Sequence, residues 1–113
     1  VGESITAVRN SLGPFRTFRR TGEHRDTDQF YEAGALVTYD KHGSVEFVEL
    51  VPPSDPTIHG VRLIQRGLEH VRDELSRKSV NVRTTVEGAD LAEWDISIYA
   101  PEGVVEAVSY GLP

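Results

Sequence analysis

ALVTYDKHGSVEFVELV, residues 35–51, decides the fold. Ala35 to Tyr39 and Ser44 to Val51 are rich in β-branched and aromatic residues, the composition of strands. Between them Asp40-Lys41-His42-Gly43 suits a type I turn with glycine in the left-handed bulge position. The stretch therefore predicts a β-hairpin. An offset of 60 residues lays it on a second hairpin, with Leu36 on Ile96, Tyr39 on Tyr99, Gly43 on Gly103, Val45 on Val105, Glu46 on Glu106 and Val48 on Val108.

Upstream, Ser4 is a helix cap, followed at helical spacing by Ile5, Val8 and Leu12. Gly13-Pro14 stops that helix. Phe15 to Arg20 reads as a strand and Thr21 to Asp28 as a polar loop or hairpin end. Gln29 to Tyr31 is a possible strand start before the break at Gly34. Downstream, Pro52-Pro53-Ser54-Asp55-Pro56 precludes a helix and marks a linker over residues 52–59. After Gly60 a second helix carries Ile64, Leu68, Val71 and Leu75 on one stripe, with Glu74 and Lys78 as an i,i+4 pair. Val80 to Val86 and Trp94 to Tyr99 alternate as half-buried strands, Trp94 facing the core. Ala100 to Gly103 turns the chain, and Val104 to Tyr110 returns it.

The helices match at an offset of 63, Ile5 on Leu68, Val8 on Val71 and Leu12 on Leu75. Helix stripe, strand pattern and turn recur in one order, so an internal repeat is expected over 1–51 and 60–110. Neither unit hides its apolar faces alone, so the two are expected to pack together. The expected fold is α+β: two helix-plus-three-strand repeats forming one antiparallel sheet of about six strands, both helices on one face.

The chain has 113 residues, the size of one domain, 1–113. It has no cysteine, which removes disulfides and thiolate chemistry. No apolar run is long enough for a bilayer span or a signal-peptide core, so a soluble protein, cytoplasmic by default, is expected. The net charge of −6 is unevenly placed. Residues 1–83 hold 12 acids and 12 bases; residues 84–113 hold Glu87, Asp90, Glu93, Asp95, Glu102 and Glu106 and no base. Such a surface repels nucleic acid and anionic membrane and attracts basic partners.

The helix-and-hairpin pattern resembles the tandem α/β repeat of the β-lactamase inhibitor proteins and of a small outer-membrane assembly lipoprotein domain. The hairpin from Val37 to Val48 is also similar to hairpins of small bacterial immunity domains. This chain departs from those inhibitors in its single helices and in lacking cysteine. The resemblance implies the fold, and an immunity or inhibitor role.

Motifs of catalysis are scarce. His24, His42, His59 and His70 include no pair at metal-binding helical spacing, and the cluster Glu23-His24-Arg25-Asp26-Thr27-Asp28 carries an arginine. No serine stands in a nucleophile elbow, and Gly60 and Gly67 lack phosphate-loop spacing. Glu46 and Glu106, equivalent in the two hairpins, are a conceivable carboxylate pair, more simply read as exposed strand positions. Arg16, Arg19 and Arg20 interleave with Phe15 and Phe18, a pattern weakened as a nucleic-acid site by the surrounding acids.

The expectation is a non-enzymatic protein-binding module, with no catalytic residue, cofactor or metal, acting as monomer or homodimer. Its acidic second repeat would meet a basic partner through Glu93, Asp95, Tyr99, Glu102 and Glu106. The alternative is a small-ligand or sensory domain with a groove between sheet and helices near Tyr39, Tyr99 and Trp94. A third is an enzyme using Glu46, Glu106 or a histidine.

Overall fold

Ser4 caps the first helix, its hydroxyl accepting from the Ala7 N–H at 3.2 Å. In this computed structural model, which describes residues 2–19 and 26–111, that helix is α1, Ile5–Ser11. Four strands follow: β1 Arg16–Arg19, β2 Asp26–Phe30, β3 Ala35–Tyr39 and β4 Val45–Leu50. A small hairpin, β5 Thr57–Ile58 and β6 Val61–Arg62, leads to α2, Leu68–Arg77. Four more strands complete the chain: β7 Arg83–Thr85, β8 Gly88–Leu91, β9 Ile96–Tyr99 and β10 Ala107–Gly111.

The fold is α+β, with an antiparallel sheet of eight strands in the order β1-β2-β3-β4-β10-β9-β8-β7. Six strands were expected; each half supplies four. The additions are β8 and the full β2, of which the sequence suggested only a start at Gln29 to Tyr31. Asp26–Phe30 looks like loop because three of its residues are Asp, Thr and Asp, yet Thr27 and Asp28 are fully buried with polar partners. Gly88–Leu91 contains no β-branched residue, so propensity gives no signal there. The two halves join where β4 pairs with β10, Leu50 opposite Val108 and Val48 opposite Tyr110.

The same backbone bonds tie each helix to its hairpin. Ile5 N–H donates to Gly43 O and Leu68 N–H to Gly103 O, both at 2.9 Å. Gly2 N–H donates to Val45 O at 2.8 Å and Gln65 N–H to Val105 O at 2.7 Å. Val45 N–H reaches Glu3 O and Val105 N–H reaches Arg66 O, both at 2.8 Å. Helix positions differ by 63 and hairpin positions by 60 in every pair. Gly43 and Gly103 have φ of +79° and +84°, the left-handed turn conformation that glycine adopts without strain.

Register sorts side chains by face. One face carries Phe30, Ala35, Leu50, Val108, Ile98 and Ala89 in a single row. Ile5 and Val8 of α1 and its C-cap Leu12 pack against its first part, Val71 and Leu75 of α2 against its second, and Leu50 adjoins both clusters. Both helices therefore lie on this face, leaving the other open.

Three local expectations are corrected. Ile64 is not on α2: it lies in a turn where Gln65 takes the left-handed φ of +66° and bonds Val105, and Gly67 caps the helix. The Val80–Val86 strand shrinks to β7, and Val86 projects fully exposed beside the β7–β8 turn. Trp94 is not core. It ends a 3-10 turn, Ala92–Trp94, and the left-handed Asp95 breaks the alternation before β9, leaving Trp94 37% exposed.

Candidate functional site

The open face is built from rows of register partners. Across its second half runs Glu49–Ser109–Ser97–Asp90–Arg83, and beside it Ala107–Tyr99–Gly88–Thr85. Between them lies a surface groove of about 380 Å³ lined by Phe47, Glu49, Thr85, Glu87, Asp90, Ser97, Tyr99 and Ser109. A second depression of about 250 Å³ shares Asp90 and Ser97 and continues to Asp95. The groove thus runs along β8 and β9 with carboxylates from Glu87 to Asp95. Arg83 pairs with Asp90 at 2.9 Å on its outer wall. Tyr99, 43% exposed, stands at one end. Acids, hydroxyls and an exposed ring suit a cationic, hydrogen-bonding surface.

The five residues expected to bind a partner are divided by the fold. Tyr99 lines the groove, and Glu106 is beside it, its N–H donating to Tyr99 O at 2.8 Å. Glu102 lies in the exposed turn just before. Glu93 and Asp95 sit at the other end of β9, about 13 Å away for four strand residues. Of the acids counted only as charge in the sequence, Glu87 stands at the Tyr99 end of the groove, in the β7–β8 turn, and Asp90 on β8 holds its middle. Their face was hidden because β8 has no alternating signature.

Glu46 and Glu106 are not brought together. The β4–β10 register sets position 46 beyond Gly111 and position 106 beyond Leu50, roughly 20 Å apart along the strands. Carboxylate pairs in glycoside hydrolysis stand within about 10 Å. Tyr39, Tyr99 and Trp94 do not share a groove: Tyr39 is buried in the cluster under α1, Tyr99 is on the opposite face, and Trp94 lies against His59, ring centroids 5.4 Å apart. Glu74 pairs with Arg66. Half of the cluster at residues 23–28, namely Glu23, His24 and Arg25, and also Arg20 fall outside the described residues. Among the described residues no three His, Asp or Glu side chains are grouped to hold a metal, and no helix is long and apolar enough to cross a membrane.

A second polar cluster lies under α1. Asp28, fully buried, accepts from Arg9 Nε at 2.7 Å and Nη2 at 3.0 Å, from the Thr17 hydroxyl at 2.6 Å and from the Tyr39 phenol at 2.9 Å. Burial alone would push the carboxyl up; the hydrogen bonds from Arg9, Thr17 and Tyr39 outweigh it and hold Asp28 below the ordinary carboxylate value. Tyr39 is displaced upward by burial and by donating to a carboxylate. Arg9 also lies over the Phe15 ring at 4.6 Å. Every partner of this carboxylate is internal, so the cluster clamps α1 to three strands.

No family model matches the chain, and no curated protein or solved structure matches it either.

Proposed function

We propose that the chain is a non-enzymatic protein-binding module of bacterial type, built from two copies of a helix-and-strand unit, whose acidic open face takes a basic partner. An immunity or inhibitor role is its most specific form, by resemblance. The observation that carries the reading is the groove along β8 and β9, where Glu87, Asp90 and Asp95 line a surface left uncovered by both helices. Opposite charge on a partner would speed encounter and fix register, while Tyr99 would supply buried area.

A basic probe tests it. Titration with a deca-arginine peptide should give saturable binding centred on Tyr99 and Asp90. Binding should weaken at least tenfold as ionic strength rises from about 0.05 to 0.5 M, where screening shortens to a few Å. Glu87→Lys with Asp95→Lys should abolish it, and reversal of Glu93, Glu102 and Glu106 in the otherwise unchanged chain should weaken it. Affinity indifferent to salt and to these reversals would remove the electrostatic reading.

A further inference from the structure

Position 88 on β8 cannot carry a side chain, because a Cβ there would collide with Ile98 O. Its register partners are Tyr99 on one side and Thr85 on the other, and Ala107 is the partner beyond Tyr99. The exposed Tyr99 ring therefore has no cross-strand neighbour on β8 or β10 larger than a methyl group. Two carboxylates border the same bare stretch of floor. Asp90 stands two residues along β8 on the same face, roughly 7 Å away. Glu87 stands in the β7–β8 turn, its carbonyl accepting from the Ala100 N–H at 2.7 Å. Tyr99, Thr85, Glu87 and Asp90 all line the open-face groove.

An exposed ring and two carboxylates around a floor without a side chain are the complement of a flat cation. The same face already holds one at its edge: Arg83 donates through Nη2 to Asp90 Oδ2 at 2.9 Å. Beyond Arg83 the chain contains no Lys or Arg, so a further cation for this spot has to come from elsewhere.

We infer that the space over Gly88 receives one arginine side chain of the partner polypeptide. Its guanidinium would lie flat against Tyr99, with its donors directed to Asp90, Glu87 and the Thr85 hydroxyl. This names the partner's chemistry at the open face, and so rests on the function proposed above. The choice of arginine over lysine follows from the two ions. A guanidinium is planar, weakly hydrated and presents its donors in a fork that matches a carboxylate, whereas an ammonium is a compact, strongly hydrated point charge. The planar ion can cover the ring and fork to a carboxylate at once; the ammonium cannot.

The probes are deca-arginine and deca-lysine, equal in charge, titrated into the full chain and followed by amide NMR. Deca-arginine should bind at least about fivefold more tightly, with the largest shifts at Thr85, Glu87, Gly88 and Tyr99. Tyr99→Leu should reduce that preference to roughly twofold or less, and Tyr99→Phe, which keeps the ring, should retain it. Unchanged melting transitions verify the fold of both variants. Equal, salt-sensitive affinity for the two peptides overturns the arginine site and leaves the acidic-face reading standing, whereas no saturable binding of either overturns both. A preference that survives Tyr99→Leu, or shifts centred on Asp95 and Ile96, also overturns it. Free L-arginine binding as tightly as deca-arginine would make the occupant a small molecule. The same shifts on raising the protein concentration alone would make it a second copy, and either result overturns the assignment to a partner polypeptide.

Discussion

Arg9 on α1 grips Asp28 on β2 with two nitrogens, Nε 2.7 Å from Oδ2 and Nη2 3.0 Å from Oδ1. The carboxylate is fully buried while the arginine is one-third exposed, so the two ends of the pair are not equivalent. Removing the arginine strands a charge away from water; removing the carboxylate leaves a guanidinium that water reaches.

Arg9→Ala is therefore expected to cost about 3–5 kcal/mol, the usual penalty for an uncompensated buried charge. Asp28→Ala should also destabilise, since it strands the buried Tyr39 hydroxyl. The double variant should be far less damaging than the two losses summed, because each deletion removes the partner that makes the other costly. Urea denaturation of the four proteins checks this. Additive losses would mean the pair is not coupled.

The same cluster sets the pH limits of stability. Asp28 is held below its ordinary value in the fold. Its contribution is complete above the unfolded value near 4, and is lost as pH falls through the lower folded value. Tyr39 is displaced upward, so its contribution is complete below the unfolded value near 10 and is lost as pH rises toward the folded one. Tyr39→Phe should flatten the alkaline decline, and Asp28→Asn the acid one, in urea midpoints measured across pH.

Much of this architecture was legible in the chain. Ile5, Val8 and Leu12 announce α1 by spacing alone, and Tyr39 to Val45 announces its hairpin by turn chemistry. What stayed hidden was buried polarity. Asp28 reads as loop until Arg9, nineteen residues earlier, is found beside it, a pairing that no local pattern encodes. Gly88–Leu91 is a strand because β7 and β9 flank it on both sides, a tertiary cause. The acidic site was half visible: composition showed the charge, but only register shows that Glu87 and Asp90 share a groove with Tyr99 while Glu93 and Glu102 lie at opposite ends of β9.

Two glycines separate backbone conformation from crowding. Gly34 has φ +76°, and a Cβ there would collide with Val51 O and stand 2.6 Å from Ser54 N, both rigid main-chain atoms. Gly103 has φ +84°, but a Cβ there meets nothing within 4 Å. Gly103→Ala should cost about 1–2 kcal/mol, the left-handed penalty alone. Gly34→Ala should cost clearly more, because the junction after β4 must also move. Thermal melts of the two variants give the ordering directly, and equal losses would mean the Val51–Ser54 turn yields freely.

Thr27 and Thr38 face each other across β2 and β3, their hydroxyls 2.9 Å apart. Both are buried although they lie on the open face, in a row with Phe18 and Phe47. A hydroxyl out of reach of water needs a partner, and each is the other's. Thr27→Val alone should therefore cost about 1–3 kcal/mol, the desolvation penalty of the orphaned Thr38 hydroxyl, and Thr38→Val should do the same. Replacing both removes two polar groups that, among the described residues, satisfy one another, and leaves two β-branched residues of nearly the same shape. The double variant is expected to recover to within about 1 kcal/mol of the parent, or to exceed it. Denaturant midpoints of the three variants decide the matter: a double variant as unstable as the sum of its singles would show that each hydroxyl serves something other than its neighbour.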